Sequence, residues 1–184
     1  MKVSLLSDCY LVRRMSEDDI AEIYALCKNN TLYYRYCPPF VTKDSITNDM
    51  KALPPDKESF DKYYLGYYDG EKLIAVMDLI LRYPGKDTAF IGFFMTDVSV
   101  QNAGIGSEII DMLCSCLKNY GFSSIRLGWV KGNPQAEHFW KKNLFVETGD
   151  TYDTDDYTVA VAQRIILAPV YLGDFLLFAI TCCN

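Results

Sequence analysis

The stretch DVSVQNAGIGSEIID, residues 97–111, changes character partway along its length. A β-type run from Phe90 to Val100 stops at Gln101. Gly104 and Gly106 follow, and a helical pattern then begins. Bare backbone at a strand-to-helix junction has three physical uses: a tight turn, a close helix–strand contact, or an anion held by N–H groups. On the helical side Ile105, Ile109, Met112, Leu113, Cys116 and Leu117 form one stripe, which ends at Tyr120-Gly121.

Upstream of this junction, Tyr10 to Arg14 reads as a short strand. Ser16 reads as an N-cap followed by a helix to about Asn29, with Ile20, Ile23, Tyr24 and Cys27 at helical spacing. NNTLYYRYCPPF breaks that pattern, and Thr42 opens a second helix to about Leu53. Three strands follow at 62–70, 72–81 and 88–100, joined by Asp69-Gly70 and by PGKD, which predicts an antiparallel meander. Downstream, SIRLGWV (124–130) returns through the helix, so it and the strand before the glycines are expected to be parallel neighbours. NPQAEHFWKKN is a short helix with Asn133 as cap and Pro134 in its first turn. LFVETG and YTVAVAQRIIL are the last strands, with an acidic loop between them. The order predicts one α+β domain (α/β in the broad sense) over residues 1–167. Its core is a mixed, mostly antiparallel sheet of about seven strands flanked by helices. Residues 168–184, APVYLGDFLLFAITCCN, form an apolar extension. It is read either as cover for a sheet edge or as a subunit interface, the latter implying a homodimer.

With 184 residues, half of them apolar, the chain can bury a sizeable core. A formal net charge of −6 and the lack of a basic stripe argue against a nucleic-acid partner. No apolar run approaches the length of a membrane span, and VSLL is too short for a signal-peptide core, so a cytoplasmic, soluble protein without a membrane partner is expected. Seven cysteines without a C-x-x-C pair, beside the single His138, give poor support to a metal site; reduced, packed thiols are expected.

The element order and two motifs resemble the GCN5-related N-acetyltransferase (GNAT) superfamily. Its acyl-CoA signature, Q/R-x-x-G-x-G/A, is matched by Gln101-Asn102-Ala103-Gly104-Ile105-Gly106, followed by Ser107. Its second motif is matched by Asn133, Ala136, Phe139, Trp140 and Phe145. The resemblance covers roughly residues 10–167. It implies that acetyl-CoA is the acyl donor and an amine the acceptor. It also implies that the glycine turn and helix N-terminus cradle the CoA diphosphate, that the backbone of Phe94, Met95 and Thr96 pairs with the pantetheine amides, and that Asn133 contacts the same arm. Departures are equally specific. Ala103 stands where a basic residue is common, and Leu144 where glycine is common. Trp140 stands where many members place a tyrosine acid, which an indole N–H cannot replace. Phe90 stands where some relatives place a glutamate base.

Two carboxylates are left as candidate bases. Asp78 interrupts the apolar run IAVMDLIL, where burial would raise its pKa toward a useful value; the alternative is an Asp satisfied by backbone donors at a bulge. Asp97 follows the cofactor strand, with a capping role as the alternative. His138, between Glu137 and Lys141 in the second short helix, reads as part of a solvated face. The acceptor side is assigned to residues 31–40, rich in aromatics, and 149–157, rich in Asp. A CoA-binding module without turnover remains a competing reading. A dinucleotide-binding domain is disfavoured, since Ile109 replaces the third glycine and the upstream strands are joined by hairpins.

Overall fold

A computed structural model describes residues 1–166. The apolar extension at 168–184, with the interface read into it, lies outside the described residues.

Twelve elements follow in the order β1 Leu11–Arg14, α1 Ile20–Cys27, α2 Thr31–Tyr36, α3 Lys43–Lys51, β2 Lys62–Asp69, β3 Lys72–Leu81, β4 Thr88–Thr96, α4 Ile105–Asn119, β5 Ser124–Val130, α5 Pro134–Lys142, β6 Val146–Asp153 and β7 Thr158–Ile165. They build one seven-stranded sheet in the order β1-β2-β3-β4-β5-β7-β6. Every neighbouring pair is antiparallel except β4 and β5. The expected meander is β2-β3-β4. Its first turn pairs Asp69 with Lys72 around Gly70, whose φ of +59° lies in the left-handed region that glycine enters without strain.

Both faces of the sheet are covered, which explains why β3 is buried from Leu73 to Leu81. Ile109, Ile110, Leu113 and Leu117 of α4 pack on one face with Ile74, Met77 and Leu79. Ile23 and Leu26 of α1 and Ile46 of α3 pack on the other with Tyr64, Val76 and Met95. No described helix is long and apolar enough to cross a membrane.

The structure departs from the sequence pattern at three places, the first two with a tertiary cause and the third with a local one. Residues 31–36, read as a break, form α2: Asn30 is buried and ties the start of this helix to β4 by donating to the Thr96 carbonyl at 3.2 Å. β6 runs on through the acidic stretch to Asp153, because it is an edge strand whose residues are all exposed, where charge is tolerated. β4 stops at Thr96, and Asp97 caps a single 3₁₀ turn at Val98–Val100.

The start of the first helix holds a charge device. Asp19 accepts both Arg13 guanidinium nitrogens, at 2.9 and 2.8 Å, and the Ser16 backbone N–H at 2.8 Å. The Arg13 bonds above all pull its carboxyl down to about 2. A depressed carboxyl contributes stability above its unfolded value near 4, and loses it as pH falls toward the folded value. Asp19→Asn is therefore expected to cost about 1–2 kcal/mol at pH 7, discounted for the partly exposed arginine. That difference should shrink between about pH 4 and 2, as read by urea unfolding.

Candidate active site

The sheet opens where the parallel pair comes apart. β4 and β5 pair only from Thr88–Ser124 to Ile91–Leu127. Beyond that point β4 stays with β3 to Thr96, and β5 stays with β7 to Val130, so the two strands diverge. A β-bulge starts the divergence: Asp78 faces Phe93 and Leu79 faces Ile91, which leaves Gly92 as the extra residue. A side chain at Gly92 would come within 2.8 Å of the Asp78 carboxylate, so the bulge requires glycine. A cleft of ≈ 790 Å³ fills the divergence, reaching from Asn30 and Tyr33 to Gly104 and Lys142.

Backbone groups of β4 face this cleft. The Asp97 N–H donates to the Ile74 carbonyl on β3 at 2.8 Å. Alternation in an antiparallel ladder then turns the N–H and C=O of Thr96 and Phe94 away from β3. The Thr96 carbonyl is taken, since Asn30 donates to it at 3.2 Å and Gln101 at 3.3 Å. Gln101 also donates to the Asn30 side chain at 2.7 Å. It thus ties the glycine turn to the start of α2, a role its place in the motif did not reveal.

The glycine turn resolves into two functions. Gly104 has a φ of +88°, and a Cβ there would meet nothing within 4 Å, so glycine serves backbone conformation and leaves open space. Asn102 is also left-handed, at +62°. At Gly106 a Cβ would lie 3.1 Å from the Phe139 ring, so glycine serves packing. Gly104 supplies no side-chain cap to α4, leaving the first N–H groups of a fifteen-residue helix open at the cleft. Uncapped donors beside empty space fit a diphosphate. Ser107 belongs to this wall, whereas Ala103 is exposed outside it and Ile105 packs against the core.

The α5 side of the cleft is aromatic. Phe94 stacks on Phe139 at 5.9 Å and lies 6.0 Å from Trp140, whose ring meets Phe145 edge-on at 5.1 Å. Trp140 is both core and cleft wall. Asn133 is 3% exposed and accepts the Ala136 N–H at 3.1 Å, capping α5 as expected while lining the cleft. Met95 departs from expectation: the same alternation turns its N–H and C=O to β3 rather than to the cleft, and its side chain packs in the α1 core. Leu144 has a φ of +63°, the conformation that suits a glycine better.

At the opposite end, α2 sets Tyr33 edge-on against Phe93 at 5.9 Å. The Cys37 thiol, just past α2, donates to the Tyr157 hydroxyl at 3.4 Å. The two acceptor segments expected from the sequence therefore meet over the cleft. Tyr33, Cys37 and Tyr157 line it, and none was singled out from the sequence, where an aromatic loop resembles ordinary core packing.

Neither candidate carboxylate lines the cleft. Asp78 sits behind the bulge, bonded to Lys62 Nζ at 2.8 Å, with its other oxygen buried and unpartnered. Burial dominates and raises its pKa, against the opposing pull of Lys62. Asp97 accepts the Ser99 N–H at 3.0 Å and Lys72 at 3.2 Å. Burial would raise its carboxyl, but the bonds from Ser99 and Lys72 outweigh it and hold it low. It has a cap's surroundings. Phe90 meets Tyr83 at 5.6 Å, and His138 is exposed on α5. Among the described residues no cluster of His, Cys, Asp and Glu could hold a metal ion.

Comparisons with known proteins agree with this geometry. No curated protein matches the sequence. Among solved structures, an acetyltransferase from Thermus thermophilus superposes with a TM-score of 0.68 at 15% identity, over 85% of this chain and 96% of that one. The ribosomal-protein-S18-alanine N-acetyltransferase of Escherichia coli gives 0.64 at 13%, over 90% and 99%. The spermidine N-acetyltransferase of Vibrio cholerae, solved with CoA and spermine, gives 0.63 at 18%, over 86% and 96%. At these identities the likeness establishes the fold. The family model described as Acetyltransferase (GNAT) family matches residues 19–144, over two-thirds of the chain and across both the glycine turn and α5, and the chain therefore belongs to the GNAT family of acyl-CoA-dependent N-acetyltransferases.

Proposed function

We propose that this protein moves the acetyl group of acetyl-CoA to a primary amine of a small molecule or peptide by direct attack within a ternary complex. The observation that carries this reading is the opened β4–β5 seam ending at an uncapped helix N-terminus. In this reading the α4 N–H groups at Gly106 and Ser107, with the turn at Asn102 and Gly104, hold the diphosphate. The arm adds to β4 as an extended peptide adds to a sheet edge. It meets the free Phe94 groups and the Thr96 N–H, with Asn133 opposite. The Phe94 N–H, beside the bulge, polarises the thioester carbonyl. Gln101 acts from behind by fixing Asn30 and Thr96, and Asp78 and Asp97 serve the fold rather than proton transfer. Residues 1–167 act as one domain, and a cytoplasmic location accords with free cysteines at the described positions.

The nitrogen attacks the carbonyl carbon, the C–N bond forms and the C–S bond breaks. The proton shed by nitrogen balances the one gained by the departing thiolate, so no residue changes its state overall. Calorimetry with acetyl-CoA, followed by CoA release against a panel of amines, tests the reading. Binding with release for at least one amine is expected. A failure to bind acetyl-CoA at millimolar concentration sinks it. Trp140, which supplies no acid, favours a second reading as a CoA-binding module; tight binding without release from any amine would select it.

A further inference from the structure

The cleft wall contains no carboxylate among the described residues. Its titratable or charged side chains are Tyr33, Cys37, Tyr157, His138 and Lys142. Burial first, then the neighbouring Cys37, holds the Tyr33 phenol well above its ordinary range. The bond with Cys37 and partial burial push Tyr157 up to about 12. Both phenols are therefore protonated at neutral pH and cannot accept a proton. His138 and Lys142 lie on α5 with Gln135, on a face next to the one that Phe139 and Trp140 turn toward β4. Among the described residues Lys142 is the one lysine or arginine of the wall, and it is exposed. Asp97, Glu108 and Glu137 adjoin wall residues in sequence but bond Lys72 and Ser99, Tyr10, and Lys141 respectively, and Asp155 and Asp156, beside Tyr157, are exposed on the turn before β7.

An ammonium entering this cleft meets neutral hydroxyls and aromatic rings, which attract it only weakly, and no counter-ion among the described residues. Placing it there without a counter-ion costs several kcal/mol. The acceptor must enter as the neutral amine, and the wall offers no carboxylate among the described residues to deprotonate it. Resting on the N-acetyltransferase reading above, we infer that the cleft selects its acceptor by basicity and takes a weakly basic amine, the α-amino group of a peptide N-terminus, in preference to a lysine side chain or a polyamine. Attraction by the exposed aspartates draws both kinds of cation to the mouth and does not discriminate between them.

Magnitude decides in favour of the α-amino group. With ordinary values near 7.8 and 10.4, about one α-amino group in seven is neutral at pH 7, against about one lysine in 2,500. The ratio is about 300, of which the stronger nucleophilicity of the more basic amine takes back part.

The test uses the wild-type protein with acetyl-CoA and three acceptors: a lysine-free peptide with a free N-terminus, the same peptide N-blocked and carrying one lysine, and spermidine. At pH 7 the first is expected to show a kcat/KM more than about 30-fold above the other two. The kcat/KM of each acceptor is expected to rise with pH to a plateau at that acceptor's own pKa, near 8 for the first and above 10 for lysine. A common inflection for all acceptors would reveal a base on the protein and overturn the inference. Equal or faster turnover of lysine or spermidine would also overturn it, while leaving acetyl transfer to amines intact. CoA release from none of the three, or from other amines, would overturn both readings.

Discussion

Ser107→Asp is expected to leave the fold as stable as before, or slightly more so, while weakening acetyl-CoA binding about 100-fold. Ser107 is the third residue of α4, in a first turn whose N–H groups lack a side-chain cap. A carboxylate there complements the helix dipole and contributes about 0.3–1 kcal/mol to the helix. For a protein of this size that is a melting-temperature rise of about 1–4 °C. The same charge would stand in the space assigned to the diphosphate. At about 6 Å and an effective dielectric near 20, each phosphate charge costs about 3 kcal/mol, and screening leaves roughly that much for the pair. Glu108 shows that an acid is tolerated in this turn, because its carboxylate swings away to accept the Tyr10 hydroxyl at 2.6 Å. Ser107→Asn supplies the neutral control. Calorimetry at low and high salt gives the readout, with the loss expected to shrink as salt rises. An Asp variant that binds acetyl-CoA as tightly as the Asn variant would remove the anion from the α4 N-terminus.

The opposite signs expected for fold and ligand show what was legible in the sequence. Gly104 and Gly106 mark the junction, and the three uses open to them proved to be divided. Gly104 serves conformation and leaves the donors bare; Gly106 makes room for Phe139. That division depends on a ring far downstream, on α5, which no local pattern encodes. The meander, α4 and β5 were legible because periodicity and turn residues are local signals. α2 was not, because its six residues are held by Asn30 against Thr96 and by Tyr33 against Phe93 rather than by propensity. The cleft-facing groups of β4 are backbone atoms, whose orientation follows from strand register. Tyr33, Cys37 and Tyr157 converge only after α2 and the β6–β7 turn are placed. Asp78 was visible as a misfit in an apolar run. Its partner was hidden, because Lys62 meets it diagonally across a ladder that pairs Lys62 with Ile80.

Lys62→Met is expected to destabilise the protein by about 3–5 kcal/mol at pH 8, and by much less near pH 4. Lys62 Nζ donates to Asp78 and to the Ala52 carbonyl, both at 2.8 Å, and its side chain is 6% exposed beside an Asp78 side chain that is 11% exposed. Burial already raises the carboxyls of Asp78 and of nearby Asp49, and Lys62 opposes the rise in both. Without that cation the folded-state pKa values move further up. A carboxyl raised on folding contributes stability in full below its unfolded value, near 4, and loses it as pH climbs through the folded value. The penalty must therefore grow from acid toward neutral pH, here because raised carboxyls are forced to ionise, whereas at Asp19 a depressed carboxyl loses its stabilising charge in acid. Urea unfolding of wild type and variant at several pH values measures it. Lys62→Met combined with Asp78→Asn removes the stranded charge and is expected to recover most of the loss, with the coupling read from the double-mutant cycle. A single-variant penalty that is flat with pH would mean that the pair contributes packing rather than charge. Turnover supplies the second readout: if Asp78 is held for the fold, the double variant keeps the wild-type dependence of kcat/KM on acceptor pKa, whereas a base relayed from Asp78 through the Gly92 bulge would vanish with it.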